Sequence, residues 1–145
     1  MIILLYILII LFANRESLLD YTIISNHQKI NHVSSWIYRA IFALTIVFLI
    51  PNTTLFDKVL LSIAVAFLFS AIFRFRLNGR RKKPYNYIST SNIYDSVFIK
   101  LFPKYHGTLI YVVEITIFII LTTLYLLWTK KYYTLPQLGV VHAEW

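Results

Sequence analysis

Ser89, Ser91, Asp95 and His106 fall within one short stretch of the chain and can be drawn as a hydrolytic triad, a hydroxyl nucleophile activated by an imidazole that a carboxylate orients. That chemistry also needs a sharp turn presenting the nucleophile and backbone amides for the oxyanion. The stretch has neither a G-x-S-x-G elbow nor a glycine-built oxyanion hole. His27 and His32 could be read as metal ligands, but they stand five apart, whereas a spacing of three or four brings two imidazoles onto one helical face. No acidic cluster accompanies them. With only three glycines the chain has no G-x-G-x-x-G or Walker-type phosphate cradle, and without cysteine it has no disulfide, thiolate metal site or thiol nucleophile. The expectation is a noncatalytic protein without metal or cofactor.

Two charges raise a different chemistry, because they sit inside long apolar runs. Glu114 lies five residues into "LIYVVEITIFIILTTLYLLW" (109–128), and Arg39 lies near the start of "VSSWIYRAIFALTIVFLI" (33–50). An ionised group in hydrocarbon is expensive unless it is paired or reaches water. Both residues fall at about the same depth from one side, roughly 8 Å at 1.5 Å per helical residue, so an Arg39–Glu114 pair between helices is the expectation. The alternatives are that Arg39 snorkels alone and that Glu114 is protonated or meets another subunit. A lone carboxylate would also suit a proton relay, for which these runs supply only scattered Ser, Thr and Tyr. Ser62, Ala66 and Ser70 recur every four residues in "LFDKVLLSIAVAFLFSAIF" (55–73), a small-residue strip suited to close helix packing.

The elements that must position these groups follow from composition. The 145 residues are 59% hydrophobic and 14% charged, with a mean hydropathy of +0.68, and the charges cluster between apolar runs instead of recurring at helical spacing. The chain reads as all-α and polytopic. Spans over 33–50, 55–73 and 109–128 meet the requirement of about 20 residues for a hydrocarbon core of about 30 Å. "MIILLYILIILFA" (1–13) is shorter; it reads as a fourth, weaker span, about 2–13 extending toward 19. A cleaved signal peptide is the alternative, against which stand the missing basic n-region and a poor small-residue cleavage site.

Orientation follows from lysine and arginine counts, which favour the cytoplasmic side of a membrane. The loop 74–108 carries eight and the loop 14–32 adds Arg15 and Lys29, with Arg39 just inside the next span, against Lys58, Lys130 and Lys131 on the other side. Both larger loops are therefore expected in the cytoplasm and both termini outside, in a bacterial inner membrane or a virion's internal membrane. "RFRLNGRRKKPYNY" (74–87) gathers Arg74, Arg76, Arg80, Arg81, Lys82 and Lys83, interleaved with aromatics including Tyr85 and Tyr87. Beside a membrane such a cluster contacts anionic lipid headgroups, while its aromatics would also suit stacking on single-stranded nucleic acid. Beyond it, "SNIYDSVFIKLF" (91–102) places Ile93, Tyr94, Val97, Phe98, Leu101 and Phe102 on one helical side and Asn92, Asp95, Ser96 and Lys100 mainly on the other. With Ser91 as N-cap and Pro103 as stop, this reads as a helix lying in the interface or docking on a partner helix.

"KINH" before a span with an arginine near its start, an aromatic and basic end to the next span, and "NGRRKKPYNYISTSNIYD" after it form a layout over about residues 29–125. It resembles small polytopic membrane proteins encoded by Bacteroidetes and their phages. They share a turn glycine, a Y-I-S-T stretch and an aspartate four positions beyond a serine; the "RRKK" is denser here. The resemblance implies a phage or mobile-element membrane protein and brings no activity and no site residues. The first functional expectation is accordingly a structural component of a membrane assembly, such as a membrane-containing virion or a multisubunit complex, with lipids and other subunits or itself as partners. A holin-like pore former comes second. A small transporter or an accessory subunit of a respiratory complex, working through Glu114, comes third.

Overall fold

A computed structural model of the chain describes residues 2–88, 93–102 and 106–134. These form five helices: α1 (Ile2–Ser25), α2 (His32–Phe48), α3 (Leu55–Arg80), α4 (Ile93–Leu101) and α5 (His106–Thr134). Among the described residues there is no strand. The all-α, polytopic reading therefore holds.

The helix ends follow local chemistry. At the start of α2 the Asn31 side chain accepts from the Ser34 amide at 3.2 Å. Beyond the Pro51 turn, Thr54 and Asp57 form a reciprocal capping box that starts α3. Two helices stop at left-handed residues: after α1, His27 has φ 57° and the Gln28 amide reaches back to the Ile23 carbonyl; after α3, Lys82 has φ 53° and the Lys83 amide reaches the Asn78 carbonyl. Both are Schellman-type closures with a side chain where glycine is usual.

α3 is the central helix, packing against α1 on one flank and α5 on another, with α2 lying more loosely against α3 and α1. One core joins Leu5 and Ile9 of α1, Val47 of α2 with Ile50 after it, and Leu61, Val65 and Leu68 of α3. Phe12 locks three helices, stacking on Phe42 at 3.8 Å between centroids and lying 5.5 Å from Phe69. Tyr6 ties α1 to α5 by a 2.8 Å hydrogen bond with Thr122. Chain direction alternates, so the α1 C-terminus, α2 N-terminus, α3 C-terminus and α5 N-terminus share one end.

Three helices are long and apolar enough to cross a membrane: α1, α3 and residues 107–130 of α5. Two expectations about length change. The N-terminal run, read as the weak span, is a full 24-residue helix, because the stripe Leu5, Ile9, Phe12, Ala13 continues as buried Glu16, Ser17 and Asp20. α2 is the short one; its 17 residues reach about 26 Å, at the lower limit for a crossing. α3 also continues past Phe73 to Arg80. The outward surface is apolar, with Ile3, Leu11, Ile41 and Leu127 all more than half exposed, as helices facing lipid require.

The small-residue strip does not serve as expected. α3 packs through Leu61, Ala64, Val65, Leu68 and Ala71, while Ala66 is exposed, Ser62 bonds back to the Lys58 carbonyl and Ser70 reaches Glu114. The strip falls beside the packed stripe, where Leu and Val side chains alternate with Ala64 and Ala71.

Candidate functional site

At the shared end, two nearly buried arginines each bridge two carboxylates. Arg39 of α2 reaches back to α1, where its Nε donates to Glu16 Oε2 at 3.2 Å and its Nη2 to Asp20 Oδ1 at 2.7 Å. Glu16 also receives the exposed Arg15 at 2.9 Å, so this cluster balances two cations against two anions. Glu16 and Asp20 are spaced i, i+4 and so stand on one face of α1. The Arg39 guanidinium lies 4.5 Å from the centre of the Phe73 ring, a cation–π contact with α3.

The second cluster joins α3, α4 and α5. Arg74 donates through Nη1 to Glu114 Oε2 at 2.8 Å and through Nη2 to Asp95 Oδ1 at 3.2 Å, with the Tyr111 ring 5.6 Å away. Ser70, one turn before Arg74, donates to the other Glu114 oxygen at 2.7 Å. The Glu114 side chain is fully buried and that of Arg74 nearly so. Arg74 stands about 9 Å from the end of α3 and Glu114 about 10 Å from Gly107, which is why they meet.

The expected Arg39–Glu114 pair is thereby corrected. Arg39 turns toward α1 and Glu114 toward α3, and each finds its counter-ion there. Their actual partners lie at or beyond the span ends that the sequence predicts: Glu16 and Asp20 at the extended end of α1, Arg74 just past residue 73 of α3. The i, i+4 acids continuing the apolar stripe of α1 were the available signal.

A third tie runs between α1 and α3. Arg80 donates through Nη1 to the Asn14 carbonyl and to Ser17 Oγ, and through Nη2 to Asn14 Oδ1. So the six basic residues grouped as polyanion contacts divide. Arg74 is an internal ion-pair member and is corrected on that ground; Arg80 is half-buried and braced on α1. Arg81 lies over the Tyr87 ring at 5.5 Å, with Lys83 at 5.3 Å from the same ring. Arg76, Lys82 and Lys83 are exposed, as is Tyr85, whose ring also neighbours Tyr111.

All five acidic residues among the described ones, Glu16, Asp20, Asp57, Asp95 and Glu114, are buried. The exposed charges, Arg15, Lys29, Arg76, Lys82, Lys83, Lys100 and Lys130, are all basic, and every one except Lys130 belongs to the shared end.

Between α2 and α3 lies a cavity of about 370 Å³. Its walls are largely apolar, from Trp36, Ala43, Ala66 and Phe69, and both arginine clusters reach its lining. Ala66 and Ser70 of the α3 strip thus border this gap. α4 is held by Asp95, from the side expected to face water, and turns Val97, Leu101 and Phe102 outward. Ser89, Ser91 and Pro103 lie outside the described residues, as does the His106 side chain. Among the described residues no group of His, Asp and Glu could hold a metal ion. The chain matches no family model, no curated protein and no solved structure.

Proposed function

We propose that this protein is a structural component of a membrane assembly, inserted as a helical bundle with its basic end against the anionic leaflet. The observation that carries this reading is the segregation of charge: the described acids are buried, four of them pairing with arginines of neighbouring helices, and the outward charge is basic and, Lys130 apart, gathered at one end. Each lysine or arginine close to an anionic leaflet contributes about 1 kcal/mol to attraction, so that end is drawn to the cytoplasmic face or its equivalent in a virion. The lysine and arginine asymmetry gives the same orientation, with the α1–α2 and α3–α5 connections inside. Lipid is favoured over nucleic acid because Tyr87, one of the two tyrosines that base stacking would use, already lies under Arg81 and Lys83.

The test is purification of the tagged protein in mild detergent with identification of what accompanies it. Co-purifying capsid or complex subunits in fixed ratio are expected. A self-assembled ring whose induction collapses the membrane potential would replace this reading with a holin-like pore. The 370 Å³ cavity favours a second reading, a small carrier or accessory subunit with Arg39 and Arg74 at its lining. Solute flux into proteoliposomes that fails when Ala66→Phe fills the cavity would support it.

A further inference from the structure

On another face of α3, its last turns form an open cleft of about 340 Å³ lined by Phe75, Arg76, Gly79, Arg80, Lys83 and Tyr85. We propose that this cleft is a binding site for the phosphate of an anionic glycerophospholipid; the inference rests on the membrane reading above and names one discrete site within the basic end.

Three observations carry it. First, Arg76 and Arg80 stand i, i+4 on one face of α3, Lys83 lines the same cleft from just beyond the turn that ends the helix, and no carboxylate lines it. Cations so placed repel one another, and an anion between them relieves that repulsion. Second, Arg80 is pre-positioned: three hydrogen bonds to Asn14 and Ser17 fix its guanidinium on α1, and Ser17 is itself fully buried. Those bonds use three of the five guanidinium N–H donors and leave two for a phosphate. Third, Gly79 forms the floor, with open space where its Cβ would be. A glycine inside a helix costs roughly 1 kcal/mol relative to alanine, and here it leaves room between the two arginines for a headgroup.

The chemistry selects both the class and the source. A zwitterionic headgroup would bring its ammonium toward three cations without a carboxylate to receive it, so a net anionic headgroup is preferred. Phe75 and Tyr85 are each more than half exposed beside the basic groups, at the end of a helix long enough to cross a membrane. That pairing of aromatic ring and cation is typical of the membrane–water interface, where a phospholipid presents its phosphate and glycerol together. The same oxygens on a soluble ion would leave both rings unused.

The test is native mass spectrometry of the full chain in detergent, titrated with phosphatidylglycerol and with phosphatidylcholine. One phosphatidylglycerol should bind in preference to phosphatidylcholine. Arg76→Gln should weaken that binding about fivefold, the effect of one basic residue at an anionic surface. The decisive variant is Gly79→Leu, which keeps every charge, improves helix propensity and fills the floor from a Cβ position that is in open space. It should abolish the preference, whereas Lys29→Gln, an equal loss of charge away from the cleft, should leave it intact. If Gly79→Leu binds phosphatidylglycerol like the wild type while Lys29→Gln weakens it equally with Arg76→Gln, attraction is diffuse and the site falls, yet the basic-end reading stands. If the wild type shows no preference between the two lipids, both fall. Displacement of the bound lipid by millimolar inorganic phosphate would overturn the lipid source, and tighter binding of single-stranded DNA, lost in Gly79→Leu, would transfer the cleft to nucleic acid.

Discussion

An arginine shared by two carboxylates makes the cost of substitution asymmetric. Removing Arg74 leaves Glu114 and Asp95 buried near one another without their common cation, whereas removing the Glu114 charge leaves Arg74 still paired with Asp95. Arg74→Gln is therefore expected to destabilise by about 3–5 kcal/mol, the range for breaking a buried ion pair, and Glu114→Gln by only about 1–2 kcal/mol. Adding Glu114→Gln to Arg74→Gln should recover part of the loss, while Arg39→Gln with Glu114→Gln should be additive to within about 0.5 kcal/mol. Unfolding titrations of these three single and two double variants in detergent decide this. Equal costs for Arg74→Gln and Glu114→Gln, or coupling between Arg39 and Glu114, would contradict the clusters described. The sequence does signal that buried charge must be matched. It does not say by what, because a pairing partner is chosen by helix length and rotation, and a shift of one turn moves a residue from loop to interior.

Among the elements, the apolar runs were legible as helices, since twenty apolar residues in a row have few other ways to satisfy their backbone. Their ends were not. α1 runs on through Arg15, Glu16 and Asp20 because its polar groups find partners on α2 and α3, a tertiary effect that composition alone reads as a loop. The left-handed stop at His27 is a local cost within that element. His27→Gly should stabilise the bundle by up to about 1 kcal/mol, since glycine adopts positive φ without strain, and His27→Ala should give no such gain. At the start of α5, Gly107 is buried with the Asn86 carbonyl pressed against the place of its Cβ. Gly107→Ala must push the loop away, at about 1–3 kcal/mol as for other overpacked sites. Thermal melts of both sets, with Gly79→Ala as an exposed control on α3, measure these effects.

For the whole molecule, alternating helices put residues 26–31 and 81–88 at one end, with α4, and the Pro51 turn at the other. The basic end is electrostatically one object: its acids are internal, so its field is not cancelled at the surface. This was legible as a count of lysine and arginine; the burial of every described acid was not, since sequence gives charge without direction. If that end lies in the cytoplasm, single cysteines on the two ends must differ in accessibility, and the native chain, lacking cysteine, gives no background. Pro51→Cys is placed in an exposed turn whose φ any residue can adopt, while Lys29→Cys and Tyr85→Cys are exposed at the basic end. In intact spheroplasts an impermeant maleimide should label Pro51→Cys and leave Lys29→Cys and Tyr85→Cys unlabelled until the membrane is opened by detergent. Moving charge tests the cause as well as the result: replacing Arg76, Lys82 and Lys83 with Gln while adding lysines at Pro51 and Leu55 removes most of the asymmetry, and should produce a mixed or inverted population. Labelling of Tyr85→Cys in the unmodified background would reverse the orientation and place the basic end on the outer face. Unchanged labelling after the charges are moved would show that helix packing, through the Arg39 and Arg74 clusters, and not the exposed lysines and arginines, decides which way the bundle inserts.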